Sequence, residues 1–322
     1  MNSAPGTPAS SRSRTARSVA TLLAGSATNQ VGAALGAHAF PAVGPAGVVA
    51  VRQWVAAAVL VPLARPDVRR MTWPQWWPVL LLAAVFGAMN LALYSAIERV
   101  GLGLAVTLEF LGPLALALAG SRSRRDLLGA LVAAAGVWLL VLPGGSSDWA
   151  GIGLGLSAAC CWAAYILLNR VAGARLPGLQ APAIATALCA LAVTPVVVVL
   201  VVQQRLTGAP LAYAVAAGVL ASAVPYAADL VALRWVTPRA FGVLCSAHPV
   251  WAALAGTVLL GQALALHEWA GIGVVVLANG MAVLHGAQAR PAEVHSPATV
   301  ALQVPHRKGA DRQEDGRTCR PP

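Results

Sequence analysis

Ten long apolar runs follow one another along the chain, at roughly 18–38, 44–64, 76–97, 101–119, 127–143, 149–171, 181–203, 211–234, 239–261 and 268–286. Each is close to the roughly 20 apolar residues that carry a helix across a bilayer. Short links separate them, so neighbouring runs are expected to pack antiparallel. The pattern predicts an all-α integral membrane protein with ten transmembrane helices. Residues 1–17 and 287–322 read differently. They are rich in Pro, Ser, Arg and other polar residues, cannot bury a core, and are expected as disordered cytoplasmic tails.

Composition agrees with the pattern. The chain is 58% hydrophobic and 10% charged, with mean hydropathy +0.71, where soluble domains carry about 25% charged residues. Its 22 Lys and Arg outnumber 11 Asp and Glu, for a net charge of +11. The basic residues fall mostly between the apolar runs, which leave no soluble face to present to nucleic acid, so no nucleic-acid partner is expected. Their distribution is a topology signal instead. With the N-terminus in the cytoplasm, the inner segments hold Arg12, Arg14, Arg17, Arg65, Arg69, Arg70, Arg122, Arg124, Arg125, Arg170, Arg175, Arg234 and Arg239. The outer loops hold only Arg99 and Arg205. That bias predicts a multi-pass protein with both termini in the cytoplasm. Arg12–Arg17 and Ala37-His38-Ala39 also resemble a secretory signal with its cleavage site, but cleavage would leave nine spans and break the symmetry described next.

Shifting the sequence by 136 positions places Pro113 on Pro249, Gly120 on Gly256, and AIERVGLG (96–103) on ALRWVTPR (232–239). Five spans per half is odd, so the second half must run opposite to the first. The expected domains are therefore two inverted five-helix repeats, 18–143 and 149–286, an arrangement found in secondary transporters. The prolines add mechanics. Pro113 lacks the N–H that would bond the carbonyl of Glu109, and Pro249 does the same to Cys245. Either is an ordinary proline kink when taken alone. Paired across the repeat, they predict helix breaks that line a cavity.

Glu109 is the only ionisable residue between Gly101 and Gly120. A charge at that depth costs about 2.5–3.5 kcal/mol on insertion scales, and the apolar residues of its run offset about 3–5 kcal/mol. An intramembrane carboxyl is a candidate substrate and proton site by default; a structural hydrogen bond to a neighbouring helix is the alternative. Other polar positions could join it. Asn29 and Gln30 lie in span 1, Arg52 and Gln53 in span 2, and Asn90 and Tyr94, one turn apart, in span 3. Trp162, Tyr165 and Asn169 lie in span 6, Tyr226 and Asp229 in span 8, and His248 in span 9. Arg52 is the candidate for a substrate carboxylate or for pairing with Glu109, against an internal salt bridge or snorkelling. Asp229 could pair with Arg234 or Arg239 at the interface, and His248 could be a packing residue. Trp73, Trp76, Trp77 and Trp149 read as interface anchors.

Several stretches resemble the drug/metabolite transporter superfamily of EamA type, and within it the bacterial threonine/homoserine exporters. They are PAVGPAGVVAVRQ (41–53), GAMNLALYSAIERVGLGLAVTLEFLGPLALAL (87–118), CCWAAYILLNRVAG (160–173) and VPYAADLVALRWVTPRAFGVLCSAHP (224–249). The resemblance implies ten helices in two inverted halves and proton-driven export of small amino acids from the bacterial inner membrane. The chain departs from the family pattern at three places. Asp229 and His248 stand where such exporters usually carry Glu, and Gly261-Gln262 replaces a usual Gly-Glu.

The combined expectation is a secondary exporter, not an enzyme, exchanging a small amino acid for protons. Arg52, Asn90, Tyr94, Glu109, Trp162, Tyr165 and His248 are the expected substrate site, and Glu109 and His248 the expected proton-coupling groups. No cofactor or metal is expected, since no phosphate-binding loop is present and the five cysteines lack metal-ligand spacing. The expected partners are the amino acid, protons and the lipid bilayer; the oligomeric state is left open. The alternatives are efflux of a cationic or aromatic compound, which a substrate panel separates, and a non-transporting membrane scaffold.

Overall fold

A computed structural model of the chain describes residues 8–119, 124–141, 148–225 and 244–286. Among these residues the regular structure is helical throughout. The elements are α1 (Pro8–Ala37), α2 (Phe40–Ala64), α3 (Trp73–Val100), α4 (Leu102–Glu109), α5 (Leu111–Ala119) and α6 (Arg124–Val141). After them come α7 (Trp149–Gly173), α8 (Gln180–Ala192), α9 (Thr194–Val202), α10 (Gly208–Gly218), a π-helical turn (Val219–Ala223), α11 (His248–Leu260) and α12 (Leu266–Gly286). The expected C-terminal tail 287–322, Arg122, Tyr226, Asp229, Arg234 and Arg239 lie outside the described residues.

The distribution of side chains is that of a protein in lipid. Val202, Val258 and Leu266 are 77%, 77% and 87% exposed, while Gln30, Gln53, Asn90, Thr107 and Glu109 are buried. Apolar residues face outward and polar groups face inward, where other protein groups or a cavity can satisfy them. Among the described residues α2, α3 and α7 are each long and apolar enough to cross a membrane, and the bent pair α8 and α9 is a fourth if taken as one span. The ten expected runs all carry helix in their described parts, but several are interrupted rather than continuous.

Each interruption has a local cause. Pro113 and Pro249 do what their position dictates. α4 stops at Glu109 and α5 starts at Leu111, while α11 starts at His248 after a turn over Ser246 and Ala247. A third break, between α8 and α9, bends the chain by 41° at Val193. Pro195 removes the N–H that Leu191 would need, and Thr194 donates its hydroxyl to the Ala190 carbonyl at 3.0 Å. In α2, Gly44 adopts φ 68°, ψ 171° ahead of Pro45 and kinks the first turn.

One expected boundary moves. Residues 8–17, expected as disordered tail, continue α1 from Pro8. Pro suits the first helical turn, and the apolar run behind it supplies the nucleus from which the turn propagates.

The ends are tied by polar contacts. Thr72 and Gln75 form a capping box at the start of α3. Arg175, just past α7, lies over the Trp77 ring at 4.8 Å and donates to the Pro74 carbonyl at 2.6 Å. At the other end of the same helix pair, Asp148 accepts from the Gly151 N–H at 2.9 Å and from the Arg99 guanidinium at 3.0 Å. The Gly151 N–H first, and Arg99 next, hold the Asp148 carboxyl below the usual carboxylate range. A lowered native pKa stabilises the fold above the unfolded value, about 3.9, and loses that contribution as pH falls through the native one. Asp148→Asn keeps the cap and removes the charge. Its melting temperature should fall slightly below wild type at pH 7, and the gap should close as the pH is lowered from the unfolded carboxylate range through the lower native pKa.

Two glycines allow close approach. A Cβ on Gly112 would collide with the Ala159 carbonyl of α7, so α5 meets α7 backbone to backbone there. Gly101 has φ +83°, open to glycine, and turns the chain so that the Leu102 N–H at the start of α4 donates to Gln262 Oε1 at 3.0 Å. Gln262 thus caps α4 from beyond the end of α11.

Candidate functional site

The breaks in α4/α5 and before α11 meet around a polar cavity of about 290 Å³. All seven residues expected to form a substrate site line it: Arg52, Asn90, Tyr94, Glu109, Trp162, Tyr165 and His248. Asn29 and Gln30 of α1 join them. Side chains from α1, α2, α3, α4, α7 and α11 therefore converge, although they are up to 219 positions apart in sequence (Asn29 to His248).

Glu109 ends α4 at the break and is only 7% exposed. No described residue hydrogen-bonds its carboxyl. Arg52 approaches from α2. Its Nε donates to Ser222 Oγ at 3.2 Å and its Nη2 to the Ala221 carbonyl at 3.0 Å, both at the π-helical turn. Such turns often mark functional positions in helices. The guanidinium also lies over the Tyr94 ring, 5.3 Å from its centroid. A guanidinium has five N–H donors, so three remain after these two bonds. The ion pairs among the described residues are Arg70–Asp67 and Arg99–Asp148. Arg52 and Glu109 therefore share the cavity without neutralising each other by direct contact.

Asn90 is buried, with its amide nitrogen bonded to the Phe86 carbonyl at 2.8 Å, which leaves its Oδ1 as a spare acceptor. Tyr94 is fully buried and its hydroxyl has no hydrogen-bond partner. His248 touches α1 through both ring nitrogens, at 2.9 Å from Ser26 Oγ and 3.2 Å from Gln30 Nε2. Pro113 and Pro249 sit in the first helical turn after their respective breaks and do not line the cavity.

An aromatic wall was not anticipated in full. Phe110, at the break itself, stands edge-on to Trp162 with centroids 4.6 Å apart and lies 5.5 Å from the His248 ring. Phe86 lies 5.6 Å from Tyr165. Helical spacing carried the signal for Phe86, which is one turn before Asn90 and two before Tyr94. Ser26 is likewise one turn before Gln30. Gln53, a candidate from polarity alone, is buried with its amide nitrogen unpaired and does not line this cavity. Among the described residues no group of three or more His, Cys, Asp or Glu could hold a metal ion.

The chemistry available is binding chemistry. One cation, one carboxyl, spare amide and hydroxyl groups and aromatic faces surround a space that would suit a small molecule bearing both charges. The comparisons with known proteins point the same way. Residues 149–284 match the EamA-like transporter family. The threonine/homoserine exporter RhtA of Escherichia coli K12 is 35% identical over 262 residues, covering 80% of this chain and 88% of the relative. The protein of the same name from Salmonella typhimurium LT2 is 36% identical, covering 76% and 83%. A crystal structure at 21% identity superposes with a TM-score of 0.55 over 85% of this chain and 99% of its own, a likeness of fold alone. With that identity sustained across four-fifths of its length, the chain belongs to the EamA-like transporter family and is a multi-pass membrane transporter.

Proposed function

We propose that the protein exports small zwitterionic amino acids of the threonine/homoserine kind across a bacterial inner membrane, in exchange for protons. The observation that carries the reading is the pair Arg52 and Glu109, which line one cavity without pairing to each other. A substrate carboxylate meets Arg52 and its ammonium meets Glu109. Trp162 and Phe110 offer π-faces beside the ammonium, and Asn90, Tyr94 and Tyr165 complete the walls. Proton binding at Glu109 from outside removes the partner of the ammonium and frees the site, after which the two halves rock about it.

The halves are the repeats 18–143 and 149–286, ten spans in all with both termini in the cytoplasm. The packing partners support this organisation. α3 packs along α7 as α1 packs along α10; α3 meets α8 as α10 meets α2; and α4 meets α7 as α11 meets α1. Exchanging the halves turns each contact into another that is present. The names of the similar exporters support the substrate class, and the excess of Arg on one side supports the orientation.

The aromatic wall favours a second reading, efflux of a cationic aromatic compound. Competition for uptake into proteoliposomes separates the two. Threonine and homoserine should compete and lipophilic cations should not; the reverse would reject amino-acid export.

A further inference from the structure

His248 begins α11 and shows one ring face to the cavity, against Phe110. Its edges are both engaged on α1, where Ser26 and Gln30 are one turn apart and buried. An amide nitrogen can only donate, so Nδ1 accepts from Gln30 Nε2, and Nε2 carries the ring hydrogen and gives it to Ser26 Oγ. This set satisfies a neutral imidazole. A second proton on Nδ1 would face the amide hydrogens of Gln30 and could enter only if that buried amide turned over. The charged and titratable groups around the same cavity are Arg52 from α2, Tyr94 from α3, Glu109 from α4 and Tyr165 from α7. None of them bonds either ring nitrogen. On α12, which also packs against α11, Glu268 caps its own helix at the Ala265 N–H.

We propose that His248 is a positioning residue, a neutral ring that clasps the start of α11 to α1 through Ser26 and Gln30, so that of the two expected proton-coupling groups Glu109 carries the exchanged proton and His248 does not. The proposal rests on the exchange reading above and predicts that His248 adds no proton of its own to each exchange. It also revises the expectation that His248 titrates. With the imidazole neutral, Arg52 and an ionised Glu109 give the described lining of the site a formal charge of zero, matched to a net-neutral zwitterion rather than to a dibasic amino acid. The clasp makes α1 and the start of α11 move as one body, which keeps the break before Pro249 in register with the break at Phe110.

The test uses the full-length protein with His248→Gln, which keeps a donor and an acceptor, and His248→Leu, which keeps neither. In proteoliposomes the account expects the same number of protons per substrate for wild type and for His248→Gln, with the same pH midpoint of transport. A midpoint moved by about one pH unit or more, or a stoichiometry that falls from two to one in His248→Gln, overturns it. Melting of the purified protein tests the clasp independently. His248→Leu should lower the melting temperature by at least about 2–4 °C, His248→Gln should restore most of that loss, and adding Gln30→Leu to His248→Leu should cost less than its effect alone. Additive losses, or none, overturn the clasp. Wild-type vesicles that transport amino acid without protons reject the exchange reading, and the melting cycle still decides the clasp.

Discussion

Replacing Glu109 with Gln removes proton-driven transport while leaving a folded protein. The amide fills the same space at the end of α4, so the break at Phe110 and its aromatic contacts persist. What disappears is the charge that lines the cavity without a direct ion pair among the described residues. A hydrogen bond to a charged group contributes about 1.5–3 kcal/mol, so substrate affinity should fall by about 10- to 150-fold. The second effect is more diagnostic. An amide does not titrate between pH 5 and 8, so residual exchange of labelled for unlabelled substrate should become independent of pH. Glu109→Asp keeps a titrating group one methylene shorter and should retain a pH profile with weakened binding. Flux and pH profiles in reconstituted vesicles read all of this. Wild-type coupling in Glu109→Gln would remove Glu109 from the mechanism.

Arg52→Lys should impair substrate binding nearly as severely, although it conserves charge. The guanidinium spans three tasks at once: a bond to Ser222 Oγ, a bond to the Ala221 carbonyl, and three further N–H groups for a ligand. An ammonium is a single point and cannot hold the π-helical turn and present a planar fork to a carboxylate together. Truncating one member of a buried charge pair costs about 2–5 kcal/mol, so KM should rise by at least about 30-fold. The Lys variant should also release Ser222, which gives the effect a structural signature in hydrogen exchange over the Val219–Ala223 turn. Unchanged KM would mean that Arg52 serves only to brace α2 against that turn.

That the seven candidate residues line one cavity was legible for a simple reason. Polar groups are costly inside apolar runs, so those present mark places where water or ligand can reach. Pro113 and Pro249 added the second ingredient, since a missing N–H leaves the carbonyl one turn earlier without a helical partner. The pattern of apolar runs set the all-α membrane class, and the family resemblance, confirmed by the comparisons, agrees with it. Four features were not legible. The break at Val193 was missed, because Thr194-Pro195 sits in an unbroken apolar run. The aromatic wall was only half seen, because Phe86 and Phe110 look like any membrane phenylalanine until the chain folds. Gln53 carried the same polar signal as Gln30 but points elsewhere, since polarity fixes that a residue is unusual and not which face of its helix it occupies. The partners of His248 lie 222 and 218 positions away on α1. Spacing along one helix relates Ser26 to Gln30, but only packing brings them to the imidazole.

The central claim is that one amino acid leaves as a proton enters through the Arg52–Glu109 cavity. The direct measurement loads vesicles containing the purified protein with labelled threonine or homoserine and a pH indicator, then acidifies the outside. The account predicts accelerated efflux of the amino acid with matching acidification of the interior, both lost in Glu109→Gln. Efflux that ignores the pH gradient, or acidification without efflux, would contradict it.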